Sequence, residues 1–459
     1  MLGRCCAPRS TGQARFAYGV AMITIDSVRE RVAQGETNEA IVTEVLERGQ
    51  EPAAAHVFTA TYTDEALAAA RAADAGSGGA LAGLPVTIKD LFDVAGETTL
   101  SGSIVRKDLP PAEADAVVVA RLREAGAAIT GRTNMVEYAL GGVGQNPHYG
   151  TPRNPADPDV ARVAGGSSSG AAVSVALGLA VAGVGSDTAG SVRIPAALCG
   201  LVGFKPTQRR VPLTGGVELS RSLDSVGPIT NSVADCLALD AVLADAPLSV
   251  DSRPLSGVRL AAAQTFVLDD LEPAVAAAYE RALRTLSDAG ATIEEVPLEQ
   301  FGRIAELNQP SGLSPIECWA AHGELVNARV ADVDPLVSQR MRLGDGISVA
   351  DYLAIHDRRA RWITETEQAL EGFDAFLCPT VPIVAPEIAA VEASEEAYFT
   401  ANRLLLRNPF VVNWLDGCGF SVPCHVEGEL PVGLMIAGPR MSDARVAGVA
   451  LAAEAALAG

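Results

Sequence analysis

Residues 84–94 read LPVTIKDLFDV, residues 115–126 read DAVVVARLREAG, and residues 127–134 read AAITGRTN. The first is an apolar strand that carries a single lysine, Lys89. The second is an amphipathic helix ending in Gly126, and the third is again a strand. Strand, helix and strand in that order mark an α/β protein. The rhythm returns downstream, where residues 273–290 read as a helix and ATIEEVPL as a strand. Residues 364–370 then close a helix ahead of the strand FDAFLCPT, and the last helix spans 443–457. Upstream, Val28, Val32, Ile41, Val45 and Leu46 recur at helical spacing and predict one helix over 27–50. Thr37 and Asn38 are placed to cap its second part. A second helix over 63–74 takes Thr63 as its N-cap.

The chain has 459 residues, a prior of about three domains, though one large α/β unit can hold as many. The stretch 246–256 is the best candidate seam. Residues 1–21 read as a disordered leader or as a start-site artefact ahead of Met22, leaving 22–459 as the folded unit. The net charge of −21 argues against a broad nucleic-acid footprint, because phosphate backbones need cationic surfaces. The most apolar stretch, residues 170–185 (GAAVSVALGLAVAGVG), is 16 residues long, where a spanning helix wants about 20. Its small residues predict a helix packed inside a core. Eight cysteines without CxxC spacing are too sparse for a disulfide scaffold and read as reduced thiols. No export signal is evident, so the expected compartment is the cytoplasm.

Between residues 141 and 227 the chain fills with Gly, Ser, Thr, Asn and Pro, the composition of loops that carry function. None of the five histidines accompanies a GxSxG elbow, and neither GxxxxGK[ST] nor a strand-borne GxGxxG is present. What is present is AGGSSSG at 164–170 and GSDTAGSVRIPAALCG at 185–200. Successive N–H groups in such small-residue turns can point at one anion, the requirement of an oxyanion hole. Lys89 in an apolar strand has surroundings that can hold an amine neutral. A neutral lysine beside serine hydroxyls can act as a general base without any histidine.

These motifs, GGSSSG, SDTAGSVRIPAALCGLVGFKPT and PVTIKD, resemble the amidase signature family, and the resemblance runs from about residue 23 to the end. GRTNMVEYA, NPHYGTPRNP, SLDSVGPIT and SVPCHVEGELPVGLMIAGP extend it in the same order. It implies a single large α/β domain with a mixed twisted sheet covered by helices on both sides. It implies a Ser–cis-Ser–Lys triad with Ser191 as nucleophile, Ser167 as bridging serine and Lys89 as base. The N–H groups of Thr188, Ala189, Gly190 and Ser191 match its oxyanion hole. No metal or organic cofactor is implied, and the partner is a small-molecule amide, with no nucleic acid or membrane and a homodimer as the candidate assembly. Ala189 stands where the commoner DTGGS has Gly, and Ser169 where GGSSGG has Gly.

Each residue has a plainer reading too. Lys89 alone reads as a strand-end lysine with its amine in solvent. Ser167, Ser168 and Ser169 read as helix caps, at least one of them in fact so. Ser168 is expected to support the site by hydrogen bonding, and Asp187 and Arg193 to hold the loop by an ion pair or backbone contacts. Thr133 and Asn134 face the pocket or form a turn. His148 reads as a structural loop histidine and Cys199 as buried and inert.

The expected reaction is hydrolysis of a carboxylic amide to acid plus ammonia or amine through a seryl acyl-enzyme. The first rival is the glutaminase component of a tRNA-dependent amidotransferase; Leu406 falls where that component's acidic residue meets the glutamine amine. A biuret- or allophanate-type hydrolase and a non-catalytic anion-binding protein are the others. Residues 308–324 and 402–414 are expected to wall the pocket, and Trp319, Trp414 and nearby leucines to favour an apolar or aryl acyl group.

Overall fold

A computed structural model describes residues 22–250 and 254–458. The reading of residues 1–21 as a leader falls outside these residues. Eleven strands form one sheet: β1 (Phe58–Thr61), β2 (Pro85–Lys89), β3 (Ala128–Thr133), β4 (Ala182–Asp187), β5 (Val202–Lys205), β6 (Ser225–Thr230), β7 (Arg259–Ala263), β8 (Thr292–Val296), β9 (Ala375–Pro379), β10 (Cys418–Pro423) and β11 (Gly433–Gly438). Their order is β1-β3-β2-β4-β6-β5-β10-β11-β9-β7-β8. The β2–β3, β2–β4, β7–β8 and β7–β9 pairs are parallel and the others antiparallel, so the sheet is mixed. Every residue of β2, β3, β4, β6 and β11 is buried. Since successive strand residues face opposite ways, both faces of the sheet are covered. β6 and β7 flank the stretch 246–256 and belong to this one sheet, so the candidate seam separates no two sheets.

Two helix expectations change. The helix over 27–50 is two, Ile25–Ala33 and Asn38–Arg48, because Gly35 turns to φ +100° and Thr37 accepts from the Ala40 N–H to cap the second. Residues 170–185 are not one helix. Ser169–Ala176 is helical, Gly178 at φ +65° turns the chain, and the apolar remainder becomes β4 in mid-sheet. A buried parallel strand and a buried helix are both continuous apolar runs, so periodicity alone does not separate them. The 63–74 helix starts with Thr63 inside it and Tyr62 at its cap.

Helix Ser169–Ala176 lies on β4 at the closest approach two backbones allow. A Cβ on Gly183 would sit 2.7 Å from the Ala171 carbonyl oxygen, and one on Gly170 2.5 Å from that of Val57. Thr87 of the neighbouring β2 hydrogen-bonds Ser174 of the same helix at 2.9 Å. The small residues therefore set the height of Ser167 and Ser168 above the sheet. Gly183→Ala is expected to cost about 1–3 kcal/mol by overpacking. The urea midpoint of the purified variant measures this, and an unchanged midpoint would refute the tight contact.

Candidate active site

Lys89 ends β2 and β4 lies beside it in parallel, with Ile88 opposite Val184. The C-terminal ends of these central strands, where α/β sheets place their sites, thus bring Lys89 within reach of Ser186. Lys89 is wholly buried. Its Nζ lies 2.7 Å from Ser167 Oγ and 2.9 Å from Ser186 Oγ. Burial pushes its pKa down to about 7, against the opposing pull of the Asp224 and Asp187 charges. Burial thus favours the uncharged amine, unlike the solvated strand-end lysine that its sequence position alone suggests.

Ser167 follows a cis peptide bond from Gly166. Its carbonyl accepts from the Val136 N–H at 3.1 Å. Ser168 donates its N–H to the Ser191 carbonyl and its hydroxyl to the Ser186 carbonyl, both at 3.3 Å, which ties the two loops together. Ser168 occupies the N-cap position of helix Ser169–Ala176 but makes no capping hydrogen bond, and the Ser169 hydroxyl is buried without a partner. Neither serine acts as the cap the sequence suggests. Among the described residues no hydrogen bond joins Ser191 Oγ to Ser167 Oγ.

The loop after β4 is folded around one carboxylate. Asp187 accepts from the N–H groups of Gly190 (2.8 Å), Val192 (3.2 Å) and Arg193 (3.4 Å). The Arg193 guanidinium adds contacts at 3.0 and 2.9 Å, and Asn413 Nδ2 one at 2.8 Å. Burial alone would raise this carboxyl's pKa. The Arg193 charge and hydrogen bonds, with Lys205 and Asn413, outweigh it and hold Asp187 well below the usual carboxylate range. Arg193 reaches on to the Pro409 carbonyl (3.0 Å) and Asn413 Oδ1 (2.6 Å).

This corrects the expected set of four N–H donors. Gly190 N–H is taken by Asp187, so it does not point at a ligand. The N–H groups of Thr188, Ala189 and Ser191 find no protein acceptor among the described residues. The Thr188 hydroxyl donates to Asp224 at 2.5 Å. Burial pushes the Asp224 pKa up to about 6, despite hydrogen bonds from Thr188, Ser220 and Leu219. Sequence reasoning misses Ser186, Asp224 and Asn413. Ser186 and Asp224 lie inside motifs quoted above and Asn413 inside the expected wall segment 402–414, but only three-dimensional contact gives each a role.

Thr133 and Asn134 do not enter the site. Thr133 Oγ1 donates to the Ile88 carbonyl at 3.3 Å, and Asn134 ties His56 and Gly150 carbonyls at 2.9 and 2.8 Å. His148 lies 3.4 Å from buried Glu137, away from the serines. Cys199 is buried, and burial pushes its thiol pKa up. Six described cysteines are free, no group of three or more metal-ligating side chains is found among the described residues, and no described helix is long and apolar enough to cross a membrane.

A cavity of about 420 Å³ opens on this loop at Ala189. Phe266, Ile304, Pro315, Leu406 and Phe410 supply its apolar wall. The two expected wall segments do contribute, but not through their tryptophans. Trp414 is wholly buried in the core, and Trp319 donates to Asp345 outside the cavity. Arg340, Arg403 and Arg407, unremarked in the sequence, complete the lining.

The Amidase family model matches residues 40–447. A curated relative, 2-amino-5-chloromuconic acid deaminase of Comamonas testosteroni, is 37% identical over 383 residues, covering 82% of each chain. The first of the lettered components of the glutamyl-tRNA(Gln) amidotransferase of Syntrophus aciditrophicus (strain SB) is 31% identical, covering 94% of this chain and 96% of its own. A solved structure described as a crystal structure of amidase superposes with a TM-score of 0.84 at 34% identity, over 94% of this chain and 99% of that one. The mixed sheet, its flanking helices and these matches agree: the chain belongs to the amidase signature family and is a hydrolase of amide C–N bonds.

Proposed function

We propose that Ser191 is the nucleophile of this amidase, Ser167 its proton relay and Lys89 its general base. The observation that carries the proposal is the wholly buried Lys89 amine at 2.7 Å from Ser167 Oγ. In its neutral form Nζ donates to Ser186 and accepts from Ser167. A base whose pKa lies near the working pH is matched to this task. When substrate binds, Ser191 passes its proton to Ser167 as Ser167 passes its own to Lys89. Ser191 Oγ attacks the amide carbonyl, and the oxygen takes up negative charge. The free N–H groups of Thr188, Ala189 and Ser191 support an oxyanion there. The C–N bond then breaks, the proton returns through Ser167 to the leaving nitrogen, and ammonia or amine departs. Water, deprotonated along the same route, attacks the seryl ester and releases the acid. The absent Ser191–Ser167 hydrogen bond does not oppose this, since catalytic hydrogen bonds tighten in the substrate complex. The homodimer and cytoplasmic setting expected above stay parts of the proposal, and light scattering on the purified chain measures the first.

The glutaminase reading finds less support. Leu406 lines the cavity beside Ala189, and no acidic side chain lines it among the described residues. The α-ammonium of glutamine would enter a wall that offers it three guanidinium groups and no carboxylate.

Ser191→Ala is expected to lower kcat by at least about 10⁴-fold, as removal of a nucleophile does. A fluorophosphonate probe should label Ser191 in the wild type; mass spectrometry locating the label elsewhere would sink the assignment.

The base has its own test. kcat/KM of the wild type should rise with pH through about 7 and level off on the alkaline side, as Lys89 loses its proton. Lys89→Ala should abolish this limb, and Lys89→Arg should not restore it, because a guanidinium stays charged. His148→Ala should keep the profile. Loss of the alkaline activity in His148→Ala instead would require a histidine base.

A further inference from the structure

The cavity beside Ala189 presents three guanidinium groups, from Arg340, Arg403 and Arg407, and no described carboxylate lies within ion-pair distance of any of them. Their partners are neutral or distant. Arg340 Nη1 donates to the Leu140 carbonyl at 2.7 Å. Arg407 donates from Nε to Asn408 Oδ1 at 2.9 Å and from Nη2 to the Val267 carbonyl at 3.3 Å, and its guanidinium lies 5.7 Å from the Phe266 ring centre. Asp269 and Asp270 act on it only through space. Arg403 is exposed and makes no hydrogen bond among the described residues. Most arginines elsewhere in this chain bind an acid, so three unpaired ones around one cavity stand out against a net charge of −21. Of the three Arg407 is buried, and a buried cation without an anion is costly unless a ligand supplies one.

The helix Glu395–Trp414 explains the arrangement. Arg403, Leu406, Arg407 and Phe410 stand at i, i+3, i+4 and i+7, so they share one helix face, and all four line the cavity. That face alternates guanidinium groups with apolar side chains. Ala189, beside the nucleophile proposed above, lines the same cavity.

We infer that the amides this enzyme hydrolyses carry a second, free carboxylate, which Arg403 and Arg407 bind at the far end of an apolar acyl chain, with Arg340 supplementing them. This rests on the reading of Ser191 as nucleophile and narrows its substrate from apolar amides in general to monoamides of dicarboxylic acids. Guanidinium and carboxylate match in planar two-point geometry, which lysine does not reproduce. Phe266, Leu406 and Phe410 then cover the carbons between the two ends. Glutamine fits less well, since its ammonium would approach the same cations.

The test compares straight-chain monoamides of four- to six-carbon dicarboxylic acids with neutral primary amides of equal length. A charge-assisted pair predicts that wild-type kcat/KM favours the best carboxylated member by at least about tenfold over its neutral match. In Arg403→Gln, and separately in Arg407→Gln, the ratio should fall to about threefold or less, chiefly through KM, while Arg403→Lys keeps a ratio between the two. Arg403 is exposed, so its variants test the inference even where Arg407→Gln fails to fold. Where turnover is slow, the same ratio is read from protection of Ser191 against the fluorophosphonate probe. A wild-type ratio of one or less with Ser191 still labelled overturns the carboxylate site and leaves the mechanism standing. Failure of the probe to label Ser191 overturns the mechanism itself.

Discussion

The site depends on a single buried ion pair. Asp187 and Arg193 are both wholly buried, and nearly every lone pair and N–H they carry is used. Two charges brought into a protein interior hold their place only when such hydrogen bonds satisfy what remains of their valence. Here the satisfaction comes from the loop itself: the N–H groups of Gly190, Val192 and Arg193 all converge on the Asp187 carboxylate. Those three N–H groups are thereby taken, while the N–H groups of Ala189 and Ser191 find no protein acceptor among the described residues. The same carboxylate that orders the turn therefore decides which donors stay free. Removing one partner would leave the other charge uncompensated, at a cost of about 3–5 kcal/mol.

The pair also bears on Lys89. An unpaired Asp187 would draw the lysine pKa upward and keep its amine protonated. Asp224 and Asp187 both pull it upward, and desolvation outweighs them. Asp224 is the remaining acid nearby, and it too is restrained: burial raises its pKa to about 6, and Thr188 holds one of its oxygens. The low pKa of Lys89 thus follows from its burial, against the pull of two carboxylates, its own contacts being two serine hydroxyls.

The α/β class and the pairing of Lys89 with Ser167 were legible because short motifs place characteristic residues in a fixed order. The Asp187–Arg193 contact was legible too, since both lie in one short loop. What escaped was set by packing. Residues 177–185 carry the same small apolar side chains as the helix before them, and only the turn at Gly178 separates strand from helix. Gly190 reads as one more free N–H in a small-residue turn, and only the reach of the Asp187 side chain takes it out of that set. Trp319 and Trp414 read as pocket walls because aromatic residues suit apolar ligands, but helix phase turns Trp414 into the core. Arg403 and Arg407 went unremarked in the sequence, and their shared face matters because it lines one cavity with Ala189.

That helix works on two sides at once. From one face Asn402 accepts from the Gly142 N–H at 2.8 Å, Pro409 offers its carbonyl to Arg193, and Asn413 binds Asp187. Gly190 passes so close that a Cβ there would meet Pro409 at 2.4 Å. These contacts fix the loop that carries Ser191. Arg403, Leu406, Arg407 and Phe410 line the cavity from the adjoining face, and none of their side chains hydrogen-bonds to Asp187 or Arg193 among the described residues. Side chains on neighbouring faces of a rigid helix share position but not hydrogen bonds. Substitution along the cavity face can therefore change what the enzyme binds while the Ser191 loop keeps its geometry.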